Sequence, residues 1–236
     1  MKPKYKRILL KLSGEGLMGD KPFGMSEEVI NSLAVQIKEV YEAGVEVCIV
    51  VGGGNIFRGA KEASKGLNRS VADQVGMLAT VMNALYLQNA LEKQNLSARV
   101  MSGISIPAVC ESYIYRRALR HLQKGRIIIF AGGTGNPYFT TDSGAALRAS
   151  EMGCDVLLKA TQVDGVYSSD PKYDTKAERY ESISYDEVIQ KGLKVMDLTA
   201  VALAKDNHIP IAVFAQNGEK ALMRAVCGEG KYTIIS

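Results

Sequence analysis

The fold of this chain is decided by the stretch Val45-Glu46-Val47-Cys48-Ile49-Val50-Val51-Gly52-Gly53-Gly54, an almost continuous apolar segment that runs directly into three glycines. A short apolar run that is rich in β-branched residues and bounded by glycine is typical of a strand buried on both faces. Strands of this kind belong to parallel sheets whose faces are covered by helices. The stretch therefore predicts an α/β fold.

Two further segments repeat this arrangement of a strand followed by glycine. Residues 6–12 lead into Ser13-Gly14, and residues 127–131 lead into Gly132-Gly133-Thr134-Gly135. Between the strands, apolar residues recur at helical spacing, so strands and helices alternate along the chain. We predict a three-layer αβα sandwich with a mostly parallel central sheet, formed by residues 1–236 as a single domain.

The remaining elements are predicted from apolar periodicity and from helix-start and turn residues. Further strands are expected at 98–101, 156–159, 209–214 and 232–235, and helices at 69–95, 111–124, 185–190, 197–207 and 218–227. Ser26 is expected to cap the first helix. Thr141 or Asp142 is expected to cap the helix that follows the 127–131 strand. A hairpin is expected within 166–182 because turn residues interrupt that segment.

Composition excludes several classes of protein. The 236 residues are 47% hydrophobic and 23% charged, which is typical of a folded globular chain and not of a disordered, collagen-like or membrane-spanning one. The 29 basic and 25 acidic residues give a net charge of +4, and the basic residues are scattered, so we expect neither nucleic acid nor membrane as a partner. The basic N-terminus is not followed by an apolar leader, which predicts a cytoplasmic protein.

Cysteine and histidine do not point to a site. The four cysteines are Cys48, Cys110, Cys154 and Cys227. No pair has the spacing of a metal site or a redox motif, so we predict reduced, structural thiols and no metal-binding residues. The two histidines, His121 and His208, fall late in predicted helices and are expected to be surface or cap residues without a catalytic role.

Glycine loops mark the candidate site. In open α/β sheets, ligands bind at the carboxyl ends of the strands, where all three glycine loops are predicted to lie. Glycine permits close approach of the backbone, and free N–H groups at helix starts bind anions. With Lys11 and Arg58 beside two of the loops, this pattern predicts a polyanionic ligand such as nucleotide phosphates. The alternative is that the loops are only tight strand-to-helix turns.

Two known phosphate motifs do not account for these loops. The P-loop pattern G-x-x-x-x-G-K-[ST] is absent from the sequence. The segment 14–19 matches G-x-G-x-x-G, but residues 20–24 intervene before a helix can begin. The second strand also ends in glycine and not in the acidic residue that a dinucleotide site requires, so we discount the match.

Charged residues at predicted strand and helix ends are the candidates for catalysis. Lys11 and Lys159 each lie at the carboxyl end of an apolar strand, where a lysine either faces a cleft or costs several kcal/mol of desolvation. Together with the glycine loops, they indicate a clamp on a transferred phosphate. Asp142 and Asp197 lie at helix starts, where each can act as a cap, orient a lysine, or do both.

Seven segments carry a resemblance to a known family. They are 10–15 (Leu-Lys-Leu-Ser-Gly-Glu), 52–59 (Gly-Gly-Gly-Asn-Ile-Phe-Arg-Gly), 76–83 (Gly-Met-Leu-Ala-Thr-Val-Met-Asn), 133–142 (Gly-Thr-Gly-Asn-Pro-Tyr-Phe-Thr-Thr-Asp), 159–161 (Lys-Ala-Thr), 163–167 (Val-Asp-Gly-Val-Tyr) and 194–198 (Lys-Val-Met-Asp-Leu). Through them the chain resembles the bacterial uridylate (UMP) kinases of the amino acid kinase superfamily along essentially its whole length. The segment 134–142 is close to diagnostic for the uridylate branch.

This resemblance implies an activity and an assembly. The implied reaction is ATP + UMP → ADP + UDP with Mg²⁺, in pyrimidine nucleotide biosynthesis. The implied assembly is a homohexamer built as a trimer of dimers, with UTP and GTP as effectors. The predicted helix 69–95 fits that implication, since its apolar set is wider than one core-facing stripe needs. Burial of the same helix within one subunit is the alternative.

The resemblance also implies roles for individual residues. ATP would be held at its phosphates by Lys11, Leu12, Ser13, Gly14, Gly54 and Arg58, and at its adenosine part by Thr161, Gln162, Tyr167 and Asp170. UMP would be held by Gly53, Asp73, Thr134, Gly135, Asn136, Pro137, Tyr138, Phe139, Thr140 and Thr141. Lys11 and Lys159 would stabilise the transition state, with Asp142 and Asp197 orienting them.

Two alternative functions remain open on the sequence. One is another kinase of the superfamily that forms an acyl phosphate, of the carbamate or acetylglutamate kinase type; the segment 134–142 argues against it. The other is a non-enzymatic oxoanion or nucleotide binder on the same fold. The presence of Lys11, Lys159 and Asp197 favours an enzyme.

Overall fold

The computed structural model describes residues 2–59, 64, 66–171 and 173–236, and these form one nine-stranded sheet with helices on both faces. The strands are β1 (Arg7–Leu12), β2 (Glu46–Val51), β3 (Ala98–Ser102), β4 (Glu111–Ser112), β5 (Ile127–Ala131), β6 (Val156–Thr161), β7 (Ser182–Ile183), β8 (Ile211–Ala215) and β9 (Tyr232–Ile235). Their spatial order is β4-β3-β5-β2-β1-β6-β8-β9-β7. Every neighbouring pair is parallel except β8 and β9, so the predicted mostly parallel sheet is confirmed.

Helices cover both faces of this sheet. They are α1 (Glu27–Glu42), α2 (Arg69–Lys93), α3 (Tyr115–Gln123), α4 (Thr141–Met152), α5 (Tyr185–Gln190), α6 (Leu198–Asp206) and α7 (Ala221–Cys227), with a short 3₁₀ turn at Glu15–Leu17. Helices α1, α2 and α7 pack with one face of the sheet, and α3 to α6 pack with the other. The predicted three-layer αβα sandwich is therefore confirmed.

The central strand β1 shows why the sequence folds this way. Its residues Ile8, Leu10 and Leu12 point to the face of α1, whereas Leu9 and Lys11 point to the face of α4. Neighbours on both sides bury every residue of the strand after Arg7, which matches its nearly unbroken apolar sequence. Lys11 is the exception to that pattern, and it lies one residue from the strand's carboxyl end.

Three predicted helix starts are wrong. The helix expected from residue 218 begins at Ala221, because Gly218 and Lys220 have positive φ angles that a right-handed helix does not accommodate. The helix expected from residue 111 begins at Tyr115, because Glu111–Ser112 instead pairs with β3 and Tyr113 N donates to Ser102 O at 2.8 Å. Helix α4 is capped by Thr140, and not by Thr141 or Asp142. Thr140 has the extended backbone of a cap residue, and its hydroxyl accepts hydrogen bonds from the first free N–H groups of the helix.

Other local predictions are confirmed. Ser26 caps α1, and its hydroxyl accepts from Val29 N. The expected hairpin is present as an antiparallel bridge between Tyr167 and Arg179, with the residue at 172 outside the described part of the chain. All four cysteines are free thiols. No helix in the described ranges has the length and apolarity needed to cross a bilayer.

The predicted surface position of His121 is wrong, whereas His208 is exposed as expected. His121 is buried: Nε2 lies 3.1 Å from Glu111 Oε2, and Nδ1 lies 3.0 Å from Arg126 Nη1. The start of β4 brings Glu111 next to α3, and a helix over 111–114, as the sequence predicts, does not allow that placement. His121 thus forms hydrogen bonds with Glu111 and Arg126 near the edge of the sheet.

Candidate active site

Two lysines, Lys11 buried and Lys159 largely buried, lie side by side at the carboxyl end of the sheet. The parallel register of β1 and β6 places Lys11 directly opposite Lys159, on the same face. Their side chains are only 8% and 12% exposed. Two ammonium groups in this position repel each other and lose hydration, so a neighbouring anion is required.

Asp142 supplies that anion from the first turn of α4. Lys159 Nζ donates to Asp142 Oδ2 at 2.7 Å, and Lys11 Nζ lies 2.7 Å from Oδ1. The Lys11 contact is an ion pair without hydrogen-bond alignment, so buried Oδ1 lacks an aligned donor. Lys159 Nζ also donates to Val195 O. Asp142 therefore bridges the two strands that carry the lysines.

Electrostatics keep this cluster charged. Burial acts to raise the pKa of Asp142, but the charges of Lys11 and Lys159 outweigh it and hold that pKa below its usual value. Burial lowers the pKa of Lys159, and the like charge of Lys11 adds to this, while Asp142 and Asp197 oppose it. With one carboxylate between two ammonium groups, this cluster is suited to receive a further anion.

Asp197 lies on the other side of the α4 start. It caps α6, with its carboxylate accepting from Ala200 N at 2.8 Å, and it also accepts from the hydroxyls of Thr140 and Ser143. These contacts fasten the first turn of α4 and thereby the position of Asp142. The structure thus confirms that Asp197 caps a helix and places it against the helix that carries Asp142, while its role in orienting a lysine stays a prediction.

The glycine loops meet beside the lysines. A Cβ at Gly14 would lie 2.6 Å from Gly54 N and 2.5 Å from Asn55 Oδ1, so the first two loops touch in a way that only glycine permits. Arg58 links them further, since its Nε donates to Gly54 O at 3.2 Å and its Nη2 lies 2.8 Å from Glu15 Oε1.

Two residues expected at the ATP phosphates lie at the end of β1. The side chain of Leu12 is fully buried in the core, so only its backbone faces the loop. The hydroxyl of Ser13 accepts from Gly16 N at 3.0 Å and stabilises the turn. These two residues therefore shape the loop that Gly14 begins.

Helix α2 holds the glycine loops at 52–54 and 132–135 through two residues, Asn83 and Thr80, that the sequence does not mark as site residues. Asn83 Nδ2 donates to Gly52 O at 2.6 Å and to Asn55 Oδ1 at 2.7 Å, and Asn55 Nδ2 donates back to Asn83 Oδ1. One turn earlier, Thr80 Oγ1 accepts from Gly132 N at 2.7 Å. Both Asn83 and Thr80 lie in the quoted segment 76–83, but spacing alone could not pair them with their partners.

A cavity of about 200 Å³ opens between these loops and α2. It is lined by Gly53, Gly54, Phe57, Gly59, Arg69, Ala72, Asp73, Gly76, Met77, Thr80, Gly133, Thr134, Asn136, Phe139, Thr140 and Thr141. A Cβ at Gly53 would lie 2.9 Å from Gly76 O, so this wall also requires glycine. Most residues expected to hold UMP line the cavity; Gly135, Pro137 and Tyr138 lie in the same loop without lining it.

Asp73 joins the cavity to the loop that carries Tyr138. Its carboxylate accepts from Arg69 Nε at 2.9 and 2.8 Å and from Tyr138 N at 2.8 Å. The side chain of Asp73 is 13% exposed, and that of Arg69 is 44% exposed. Arg69, which lines the cavity with a cationic group, was not among the residues that the sequence analysis selected.

The residues expected at adenosine lie along the end of β6 and the segment after it. Thr161 ends β6, Gln162 follows it directly, and Tyr167 OH donates to Asp164 Oδ1 at 2.5 Å. Asp170 lies in the following turn, where its carbonyl accepts from Tyr173 N.

Gln216 connects this group to the first glycine loop. Its backbone N–H donates to Thr161 O at 2.8 Å, and its side-chain Nε2 donates to Gly16 O at 3.2 Å. Gln216 follows β8 directly, a position that the strand pattern identifies but whose contacts it does not. A cavity of about 370 Å³ that includes Asp164 and Phe214 in its wall lies beside it.

Three comparisons bear on this arrangement. Residues 6–215 match the model of the amino acid kinase family. The chain is 56% identical over 233 residues to a uridylate kinase of Paramagnetospirillum magneticum, covering 99% of this chain and 97% of that protein. It is 58% identical to a uridylate kinase of Ehrlichia ruminantium, covering 98% and 96%. The crystal structure of a UMP kinase from Bacillus anthracis superposes with a TM-score of 0.94 at 40% identity, covering 98% and 96%.

Proposed function

The chain belongs to the uridylate kinases of the amino acid kinase family, and from that membership we propose that it transfers the γ-phosphoryl group of ATP to UMP to form ADP and UDP. It is then a nucleoside monophosphate kinase that serves pyrimidine nucleotide biosynthesis. The observation that carries the proposal is the pair Lys11 and Lys159, held side by side by Asp142 next to a glycine-walled cavity.

The two nucleotides would approach this pair from opposite sides. ATP phosphates would lie along the first two glycine loops with Arg58, and its adenosine part beside Thr161 and the residues that follow it. UMP would occupy the 200 Å³ cavity between α2 and the 132–140 loop. The two phosphates would then meet in front of Lys11 and Lys159, where the backbone N–H groups and the lysines can bind them.

The acceptor explains why the proposed mechanism needs no general base. A phosphate monoester has a second pKa near ~6, so at neutral pH the attacking oxygen of UMP is already an anion. The chemical difficulty is to bring two anions together in line. Lys11 and Lys159 would reduce that repulsion and stabilise the charge that develops on the transferred group and on the bridging oxygen. Asp142 would keep both ammonium groups aimed at that point.

Mg²⁺ enters this proposal as the counter-ion of ATP. No three His, Cys, Asp or Glu side chains among the described residues form a group that could hold a metal ion, and Asp142 already contacts two ammonium groups. These residues do not fit a resident metal site. The phosphate oxygens of ATP would supply the ligands and the ion would neutralise their charge, as Mg²⁺ does in many nucleotide-dependent enzymes.

An oligomer, with a hexamer as the proposed state, is supported by the outer side of α2. Five apolar side chains on that side are between 36% and 53% exposed: Val71, Val75, Leu78, Met82 and Tyr86. They recur at helical spacing, so they form one stripe that a second copy of the chain would cover. Regulation by UTP and GTP, a cytoplasmic location and a single catalytic domain are the remaining parts of the proposal.

An acceptor panel tests the function. We would measure ADP formation in a coupled assay with ATP, Mg²⁺ and each of UMP, CMP, carbamate and N-acetylglutamate. ADP formation that depends on UMP and is much weaker with CMP is the expected result, because a site built around one base leaves buried groups unpaired with another.

Each alternative function has its own outcome in this panel. ADP formation with carbamate or N-acetylglutamate but not with UMP would indicate an acyl-phosphate-forming kinase. Nucleotide binding by calorimetry without turnover of any acceptor would indicate a binding protein. Either result would replace the proposal.

A further inference from the structure

The first residues of α2 contact one residue of the 132–140 loop, Tyr138. Asn68 caps the helix, and its side-chain oxygen accepts from Ser70 N at 3.0 Å, which fixes the turn. From the first five residues of α2, Asp73 accepts from Tyr138 N at 2.8 Å, Ser70 Oγ lies 3.4 Å from Tyr138 OH, and the Arg69 guanidinium lies 5.7 Å from the centre of the Tyr138 ring. Three side chains near the start of α2 therefore contact Tyr138.

These contacts explain an unusual backbone. Tyr138 has φ +71°, in the left-handed region that residues other than glycine rarely adopt. The residue is 67% exposed, so burial of the ring does not hold the conformation. A strained residue persists only where its surroundings over-determine it, and the hydrogen bond from Tyr138 N to Asp73 is the strongest such contact here.

Asp73 in turn depends on Arg69. Arg69 Nε lies 2.9 Å from one carboxylate oxygen of Asp73 and 2.8 Å from the other, so a single N–H holds the carboxylate side-on and fixes its rotation. A carboxylate only accepts hydrogen bonds, so Asp73 can offer the free lone pairs to the hydroxyl and N–H donors of a nucleoside. Without a cation beside it, the same carboxylate would repel the phosphate of an incoming nucleotide.

We propose that Arg69 is a positioning residue for the acceptor nucleoside. It neutralises Asp73, fixes the direction of its lone pairs, and through Asp73 holds Tyr138 and the loop that closes the cavity. This inference rests on the proposed function, since it requires that the 200 Å³ cavity take the acceptor nucleotide. Arg69 acts on the nucleoside through Asp73, so its loss should weaken acceptor binding and leave the transfer step nearly unchanged.

The test is a kinetic comparison with a matched control. Arg69→Met removes the guanidinium and keeps most of the side-chain length. Lys191→Met removes the cation of another i, i+4 pair, Lys191 with Glu187, whose lysine is also 44% exposed and whose helix α5 does not line the cavity. We expect Arg69→Met to raise the KM for UMP tenfold or more, with kcat within threefold and the KM for ATP unchanged. Lys191→Met should change none of these.

A double-mutant cycle separates positioning from a direct contact. In an Asp73→Asn background, replacement of Arg69 should change kcat/KM for UMP by less than twofold, because the group through which it acts is gone. An unchanged KM for UMP in Arg69→Met, or an equal effect in both backgrounds, would overturn the inference. If the Met variant does not fold, Arg69→Lys tests the directional role alone, because lysine keeps the charge but lacks the Nε–H that contacts both oxygens; an unchanged KM for UMP in that variant would overturn this role.

Failure of the proposed function has a different signature. The unaltered protein would then form no ADP in response to UMP, whereas failure of this inference leaves that activity in place and only removes the difference between Arg69→Met and Lys191→Met. Thermal melts of all variants are run beside the kinetics. A KM change that accompanies a large loss of melting temperature, and that disappears on cooling, would assign Arg69 a structural role instead.

Discussion

Replacement of Lys159 by alanine separates catalysis from stability at the centre of the site. Lys159 Nζ is held by Asp142 and by Val195 O, so its position is fixed before any nucleotide binds. A group that is preorganised in this way stabilises charge as it develops and lowers the barrier more than it tightens binding. We therefore expect Lys159→Ala to reduce kcat by roughly a hundredfold or more, with a much smaller change in the KM for UMP. A hundredfold loss of kcat corresponds to an increase of about 2.7 kcal/mol in the activation barrier.

The structure also gives the expected effect of Lys159→Ala on the free energy of unfolding. Removal of Lys159 leaves Val195 O and Asp142 Oδ2 without their donor, which costs about 1–3 kcal/mol for a buried group. Loss of the repulsion between Lys159 and Lys11 offsets part of that cost, because the two ammonium groups are cross-strand neighbours. The melting temperature should fall by only about 2–4 °C for each kcal/mol that remains.

The assay is steady-state ADP formation at saturating ATP and UMP, with a thermal melt of each preparation. Lys205→Ala is the matched control, because it removes a lysine whose ion pair with Asp186 is exposed and lies outside the cavity. That variant should retain normal kcat. A Lys159→Ala protein that melts as a folded domain and turns over at a near-normal rate would refute the reasoning and remove Lys159 from the mechanism.

Three further predictions follow from the same geometry. Burial and the charge of Lys11 lower the pKa of Lys159, so kcat should begin to fall at a pH below the ordinary lysine pKa of about 10.4. Lys159→Arg should move this alkaline loss of kcat to higher pH, because arginine stays charged. An alkaline limb that does not move in Lys159→Arg would exclude Lys159 as its source. Asn83→Ala leaves the buried acceptors Gly52 O and Asn55 Oδ1 without their donor, while Asn55 Nδ2 keeps Gly24 O, so the free energy of unfolding in urea should fall by about 2–4 kcal/mol. Asn89→Ala, at an exposed position of the same helix, should change it by less than about 0.5 kcal/mol, and equal effects of the two substitutions would contradict this. Met82→Glu places a charge on the exposed apolar stripe of α2, so light scattering at micromolar concentration should show a smaller species than for the unaltered protein, with a normal circular-dichroism spectrum. If the unaltered protein is itself a monomer, the proposed assembly is refuted.

The sheet was predictable because its strands carry their own signal. β2 and β5 are apolar runs that end in glycine, and burial on both faces leaves no room for the polar alternation of a half-exposed strand. The lysines could be placed for the same reason, since a charge at the end of an apolar strand is conspicuous. Lys11 and Lys159 are therefore recognisable in the sequence, although their pairing is not.

The wrongly predicted helix starts lie where the local sequence is compatible with more than one backbone conformation. Thr140, Thr141 and Asp142 are all good cap residues, and only the backbone conformation at Thr140 decides among them. Residues 111–114 have helical spacing with those that follow, but β3 offers them sheet hydrogen bonds at its free edge. Tertiary context thus overrides the local pattern in both places.

Contacts between distant residues lie beyond what a periodic pattern can predict. Asn55 and Asn83 are 28 residues apart, and each satisfies the amide of the other only because α2 passes beneath the second glycine loop. Arg69 is another example: as an exposed residue in a first helical turn, it has no feature in the sequence that distinguishes it from a solvated arginine. Its pairing with Asp73 at the cavity wall appears only in the folded chain.

The register of two strands makes the candidate site possible. Lys11 meets Lys159 because β1 and β6 are parallel and aligned residue for residue, and Asp142 reaches both because α4 starts over the same face. A slip of β6 by one residue would turn Lys159 toward the opposite face, among the apolar side chains that pack with α1 and α7. The cost of burying an unpaired ammonium group there opposes such a slip, so the same two lysines that would bind phosphate also select the register that brings them together.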